Sequence, residues 1–311
     1  MNTNNKVVII GCGLMGTEIA AVFLATSWEV LVVEPDTARW EDSRAAMTEL
    51  LPAMCNQNIK TNLISIDFVA TLPEVNWRGV DLVIETAAED FAIKKTIFES
   101  LDQVVPDHIV IGTNSSGYPI SEIAKSCASS HRMANTHFFL PASIVPLVEI
   151  AKGENTSDVT MNRLQACFER ANRVVVKINK DLPGFLANRM QHALMREVFS
   201  ILDAGLATPE DIDKAVRYGF GFRYVAAGPL LQKELAGLET QLAAATSIYP
   251  SLCNDTTPPK GLAQMVEEGK FGAKSLQGYW SWTDARVQQE RRRYMDLLMK
   301  ASKLLSEDVE I

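Results

Sequence analysis

The chain has 311 residues, enough for two domains, and its 47% hydrophobic and 22% charged residues exclude global disorder. A formal charge of −8 argues against nucleic acid or an anionic membrane surface as a partner, so a small molecule is the expected ligand. The five cysteines are scattered without CxxC spacing and the four histidines lack ligand spacing, which predicts reduced thiols in a cytoplasmic protein and no metal site.

The apolar run Val7–Ile10 predicts a strand, and it leads into Gly11-x-Gly13-x-x-Gly16 and a helical pattern. Gly11, Gly13, Gly16 and Glu18 interrupt the apolar stretch, so it is not read as a signal peptide. A second apolar run, Val30–Val33, ends on Glu34. This is the layout of a dinucleotide-binding βαβ unit. Gly11 allows the tight turn, Gly13 lets the backbone approach a pyrophosphate, and Gly16 lets the helix pack close to the strand. The helix N-terminus offers N–H groups to the phosphates. Glu34, about 20 residues beyond the glycines, is placed to accept from both adenosine ribose hydroxyls and to repel a 2′-phosphate, which favours NAD over NADP. The competing reading is a glycine-rich turn that binds no nucleotide.

Farther along, Ala38–Leu51 predicts a helix, followed by a polar stretch with Asn56, Asn58 and Asn62. Val80–Glu85 reads as a buried parallel strand, Phe91–Leu101 as a helix, Ile109–Thr113 as a strand and Ile120–Ser126 as a short helix. Met133–Phe139 and Val145–Ile150 are short strands, Met161–Ala171 a helix and Arg173–Ile178 a last strand. The alternation predicts an α/β fold: a Rossmann-type, doubly wound, mostly parallel sheet with helices on both faces, over residues 1–183. After Asp181-Leu182-Pro183-Gly184 the strand signals almost cease, and residues 184–311 read as an all-α domain. Phe185–Leu206 is a long helix, Thr208 an N-cap with Pro209 in the first turn, and the last helix runs from about Thr283 to Leu305.

Such a sheet binds its ligand beyond the C-terminal ends of the parallel strands. Glu85–Asp90, Thr113–Ser116 and His137 fall there, with Glu149 on the following strand and Asn188 in the first turns of the long helix. His137 is the candidate general base, because an unperturbed imidazole pKa of about 6.5 lets it accept an alcohol proton near neutrality. Glu149 would fix its tautomer and stabilise the imidazolium. Ser116 and Asn188 can hydrogen-bond the reacting oxygen. Each position also has a plain structural reading: a satisfied core histidine, a turn serine and a helix-cap asparagine. His192 is an alternative base on the same helix face as Asn188, and His108 and His131 sit in polar turns.

Together these motifs resemble the 3-hydroxyacyl-CoA dehydrogenase family over essentially the whole chain. Asn114-Ser115-Ser116 resembles its N-[TS]-S segment, and His137-Phe138-Phe139 with Pro146-Leu147-Val148-Glu149 resembles its HFFNP…LVE. Asp181-x-Pro183-Gly184-Phe185-x-x-Asn188-Arg189 is similar to its D-x-PGF-x-x-NR, and Lys270 to Trp280 to its C-terminal GxKxGxGFY. The resemblance implies that His137 is the catalytic base with Glu149 as partner, and that Ser116 and Asn188 contact the substrate. It implies cofactor contacts at Glu89, Lys94 and Asn114, and a homodimer formed through the helical C-terminal domain.

Three features qualify the substrate. Leu140 replaces the asparagine of HFFNP. The insertion between Val33 and Phe68 is short and has Lys60 as its only lysine beside Glu41, Asp42 and Glu49, where acyl-CoA members carry a longer, lysine-rich helical pair. Gly219 to Tyr224 with Gly228-Pro229 is similar to the GxGxRYA…GP of the L-gulonate 3-dehydrogenase (lambda-crystallin) and carnitine 3-dehydrogenase branch, whose members act on free hydroxy acids. Arg223 would then hold a substrate carboxylate, the alternative being an ordinary salt bridge. The expectation is an NAD-dependent dehydrogenase of a small free 3-hydroxy carboxylate. A short-chain 3-hydroxyacyl-CoA, an aromatic alcohol or aldehyde, and a non-catalytic NAD-binding protein are the alternatives.

Overall fold

Short apolar runs alternate with amphipathic ones through the first 180 or so residues, and in the computed structural model, which describes residues 5–54 and 66–308, they build one eight-stranded sheet. Its elements in order are β1 (Lys6–Ile10), α1 (Leu14–Ala25), β2 (Glu29–Val33), α2 (Trp40–Met54), β3 (Ile66–Val69), β4 (Val80–Glu85), α3 (Phe91–Val104), β5 (Val110–Thr113), α4 (Ile120–Ile123), β6 (Met133–Phe138), β7 (Leu147–Ala151), α5 (Asp158–Arg170) and β8 (Val174–Ile178). The strand order is β3-β2-β1-β4-β5-β6-β7-β8, all pairs parallel except β6 with β7.

The period-two pleat sends alternate side chains to opposite cores. Val7, Ile9, Val30 and Val32 join the core under α1, α2 and α5, with Phe23, Met47 and Phe168. Val8, Ile10, Leu31 and Val33 join the other, under α3 and α4, with Phe98, Leu101 and Ile123. Strands buried on both faces explain why these runs read as continuous hydrophobic stretches.

Two features were not visible in the pattern. Strand β3 is four residues long, is interrupted by Asp67, and pairs only with β2 at the sheet edge. The β6–β7 pair is antiparallel because the connecting residues 139–146 are fewer than the dozen or so that a parallel crossover needs. Asn56, Asn58, Lys60 and Asn62 lie outside the described residues.

The chain divides into two units at Ala187/Asn188. The second is helical: α6 (Ala187–Asp203) reaches it from the first unit, followed by α7 (Pro209–Ala215), α8 (Gly221–Arg223), α9 (Pro229–Ala236), α10 (Leu238–Ile248), α11 (Lys260–Glu267) and α12 (Asp284–Glu307). Thr208 caps α7 through its hydroxyl, which accepts from the Asp211 N–H at 3.2 Å, with Pro209 in the first turn. Among the described residues of this unit only Ile212 and Val287 are buried hydrophobics. No described helix is long and apolar enough to cross a membrane.

Candidate active site

The three glycines do three different jobs at the β1–α1 turn. Gly11 has φ +93°, a left-handed conformation that L side chains rarely adopt. A Cβ on Gly16 would stand 2.2 Å from the Gly11 carbonyl oxygen and 2.6 Å from Thr86 Oγ1, so only hydrogen fits where α1 crosses the turn. A Cβ on Gly13 would meet nothing within 4 Å, because Gly13 faces an open cavity. Gly13 is also the N-cap of α1 and makes no side-chain cap, which leaves the first-turn N–H groups for an anion.

The cavity has a volume of about 830 Å³. Gly11, Gly13, Glu34, Glu89, Lys94 and Asn114 line it, as does Ser116, while Gly16 does not and instead packs against Gly11 and Thr86. The structure therefore gathers six of the seven predicted cofactor residues around one space of ligand size. The helix N-terminus, the clearance at Gly13 and the carboxylate at the end of β2 fit a dinucleotide.

Glu34 is buried, and its carboxylate is fixed by the chain itself. Oε2 accepts from the Cys12 N–H at 3.0 Å and the Cys12 thiol at 3.3 Å, and Oε1 accepts from the Asp36 N–H at 3.0 Å. Burial acts to raise its pKa, but these donors and the Arg39 guanidinium outweigh it and hold the carboxyl below the ordinary glutamate range. Glu34 is thus a charged group at neutral pH. For Cys12, burial is the main effect and raises the thiol pKa, which fits a bystander within the loop.

Lys94 has a partner that sequence reasoning did not assign. Its Nζ lies 2.9 and 3.0 Å from the two oxygens of Glu85, donates to the Ala87 carbonyl at 3.3 Å and stands 3.4 Å from Glu89 Oε2. Glu85 is fully buried and also accepts from the Thr113 hydroxyl at 2.6 Å and the Ala87 N–H at 2.7 Å. A glutamate ending an otherwise apolar buried strand, followed by a lysine early in the next helix, was the available signal. Glu89 in turn clamps the loop after β5: Oε1 accepts from the Ser115 hydroxyl at 2.7 Å and the N–H groups of Ser116 and Gly117 at 3.0 and 2.9 Å. Burial opposes ionisation here too, yet Ser115, Gly117 and Lys94 keep the Glu89 pKa below its ordinary value. This network fixes the backbone of the segment that carries Asn114 and Ser116.

His137 and Glu149 face each other directly across the antiparallel β6–β7 ladder. Nδ1 of the imidazole is 3.1 Å from Glu149 Oε2. The other carboxylate oxygen accepts from the N–H groups of Leu186 and Ala187 at 3.1 and 2.8 Å. Both side chains are buried, at 6% and 1% exposure. The ring is packed edge-on against Phe139 at 4.6 Å and near Phe185 at 5.4 Å. Asn114 Oδ1 accepts from the Phe138 N–H at 2.9 Å, tying the loop after β5 to the strand of His137. A carboxylate on Nδ1 retains the proton there, so Nε2 presents its lone pair. Leu140, in the place of the family's asparagine, is half exposed, at 52%.

The remaining predicted residues belong to the second unit. Asn188 is half-buried in the first turn of α6, directly after the Ala187 N–H that Glu149 receives. Arg223 is exposed at the end of α8, and His192 is exposed on α6, as are His108 and His131 in the first unit.

The NAD-binding domain of 3-hydroxyacyl-CoA dehydrogenase matches residues 6–182, and the C-terminal domain of the same enzymes matches residues 184–282. The chain belongs to the 3-hydroxyacyl-CoA dehydrogenase family. Its relatives within and around that family include a 5-formyl-3-hydroxy-2-methylpyridine 4-carboxylate 5-dehydrogenase of Mesorhizobium japonicum, 26% identical over 93% of this chain and 95% of that one. An L-carnitine dehydrogenase of Streptomyces coelicolor is 30% identical over 76% and 75%. A 3-hydroxybutyryl-CoA dehydrogenase of Mycobacterium tuberculosis is 31% identical over 89% and 98%. Among solved structures, the (S)-3-hydroxybutyryl-CoA dehydrogenase of Ralstonia eutropha superposes with a TM-score of 0.72 at 28% identity, covering 90% of this chain and 99% of its own. A pyridine-carboxylate 5-dehydrogenase shares the fold at a TM-score of 0.89 and 24% identity, covering 98% and 99%. The family member described here is therefore an NAD-dependent dehydrogenase on a Rossmann-type fold with a helical C-terminal domain.

Proposed function

We propose that this dehydrogenase oxidises the hydroxyl of a small, free 3-hydroxy carboxylate, with His137 as base and Glu149 as its partner. The observation that carries the proposal is the 3.1 Å contact between His137 Nδ1 and Glu149 Oε2, in a carboxylate whose other oxygen is held by two backbone N–H groups. That contact leaves Nε2 to take the hydroxyl proton, and the charge that forms on the imidazole is balanced by Glu149. NAD, when bound, supplies the hydride acceptor. Gly11, Gly13, Glu34, Glu89, Lys94 and Asn114 hold it, directly or through the loops they fix. Ser116 and Asn188 hydrogen-bond the reacting oxygen, and Arg223 holds the carboxylate. Support for a free acid comes from the L-carnitine dehydrogenase relative and from α2, which carries Glu41, Asp42 and Glu49 against the single Arg44 and so offers little attraction to a polyphosphate.

A second reading has its own observation. The pyridine-carboxylate relative matches over more of this chain than the L-carnitine or 3-hydroxybutyryl-CoA relatives do. An aromatic aldehyde bearing a carboxylate fits the same machinery when it reacts as its hydrate, because the hydrated carbon carries both a hydroxyl and a transferable hydrogen. In either case the substrate bears a free carboxylate. The discriminating experiment is NADH formation, followed by absorbance, with free hydroxy acids, their CoA thioesters and aromatic aldehyde-carboxylates. His137→Ala is expected to lose about 10²–10⁴-fold in kcat while NADH binding, read by fluorescence, persists. Near-normal turnover in that variant refutes the assignment.

The functional form is a homodimer joined through the second unit. That unit exposes Leu230 at 81%, Leu235 at 78%, Leu242 at 70% and Phe222 at 70%. Helices with so little buried surface lack the main driving force for folding, and a second copy supplies it.

A further inference from the structure

The cavity wall around Glu34 carries a second charged side chain. Arg39 ends the short 3₁₀ turn Thr37–Arg39 and lines the cavity with Glu34. Its Nη1 lies 3.8 Å from Glu34 Oε2, its Nη2 donates to the Cys12 carbonyl at 3.4 Å, and its side chain is 49% exposed. The guanidinium therefore rests on the glycine loop, at the β2 end where an adenosine ribose is recognised, with N–H donors left over for a ligand. Glu34 is held differently. Two backbone N–H groups pin its carboxylate from within the protein, so it cannot swing away to admit an anion. An acid at the end of β2 rejects a 2′-phosphate, and an arginine nearby is the group that accommodates one. This site contains both.

We infer that Arg39 is a latent 2′-phosphate ligand and that the Glu34 carboxylate alone keeps the site selective for NAD. The inference rests on the NAD-binding property of the family and is independent of the proposed substrate and base.

The test is a fluorescence titration of NADH and NADPH against the intact protein, a readout of binding that needs no turnover. Glu34→Gln removes the charge and keeps an acceptor oxygen for one of the two loop N–H groups. It is expected to tighten NADPH binding about tenfold or more relative to the unsubstituted protein. Glu34→Gln combined with Arg39→Ala is expected to lose that gain. Equal NADPH affinity in the single and double variants overturns the role of Arg39. No gain in a Glu34→Gln protein that still binds NADH overturns the role of Glu34. Should the glutamine variant fail to fold, Glu34→Ser answers the same question by the same titration.

Discussion

Glu149 faces two demands at once, and a single substitution separates them. One oxygen must accept from Leu186 and Ala187, and the other must accept from His137 Nδ1. In Glu149→Gln the amide oxygen can satisfy the two backbone donors, which turns the NH₂ group toward the imidazole. Nδ1 must then accept, the proton moves to Nε2, and the ring can no longer take a proton from the substrate. The expected outcome is a fall in kcat of about 10²–10⁴-fold, as when the orienting carboxylate of a catalytic triad is made an amide, with NADH affinity unchanged. Turnover close to that of the unsubstituted protein in steady-state assays would mean that the tautomer set by Glu149 is not needed. Charge at Glu34 is set just as locally in space: the groups that lower its pKa are Cys12 of the glycine loop and Asp36 and Arg39 just beyond the strand.

At the level of elements, the β1–α1 turn depends on how closely a helix approaches a strand. The same substitution at two of its glycines should therefore have opposite signatures. Gly16→Ala places a methyl 2.2 Å from the Gly11 carbonyl oxygen, so α1 must shift. The expected cost is about 1–3 kcal/mol of stability, as for other overpacked sites, measured by urea denaturation. Gly13→Ala meets no protein atom within 4 Å and has an ordinary backbone φ of −65°. It should change stability little and instead weaken NADH binding, because the methyl enters the cavity. Equal losses of stability at both positions would contradict this division. The buried Glu85–Lys94 pair and the Glu89 clamp belong to the same scale, since they join β4, α3 and the loop after β5 into one support for Asn114 and Ser116.

At the level of the whole molecule, the two units differ in kind. The first buries two extensive cores, one on each face of the sheet. The second, among its described residues, buries only Ile212 and Val287, while large side chains on α9 and α10 are exposed. Fully burying a leucine contributes roughly 1.5–3 kcal/mol, so helices left this open gain much from a partner surface. Size-exclusion chromatography with light scattering is expected to give twice the mass of one chain. Leu235→Arg with Leu242→Arg is expected to shift it toward one chain and to lower the melting temperature. A monodisperse monomer of the unsubstituted protein, fully folded and active, would exclude the dimer.

Much of this was legible in the chain, for identifiable reasons. The βαβ unit, its glycines and Glu34 are a local pattern, and β4 was found with both ends correct because an apolar strand ending on a polar residue is a sharp signal. The N-cap Thr208 was read correctly because a cap is decided by residues three positions apart. Strand β3 was lost because four residues interrupted by Asp67 carry too little periodicity. The antiparallel turn-back of β7 and the pairing of Lys94 with Glu85 were not read either, since strand direction and buried ion pairs depend on where distant segments meet.

What the sequence by itself determined is the order of the elements other than β3, the dinucleotide loop and the set of polar residues that end the strands, all of which follow from local spacing and periodicity. Only the tertiary structure decided that His137 and Glu149 are register partners, that Glu149 is held by the start of α6, and that Arg39 reaches the cofactor cavity beside Glu34. Those relations arise from burial, strand direction and the path of the turns, which spacing and periodicity along the chain do not encode.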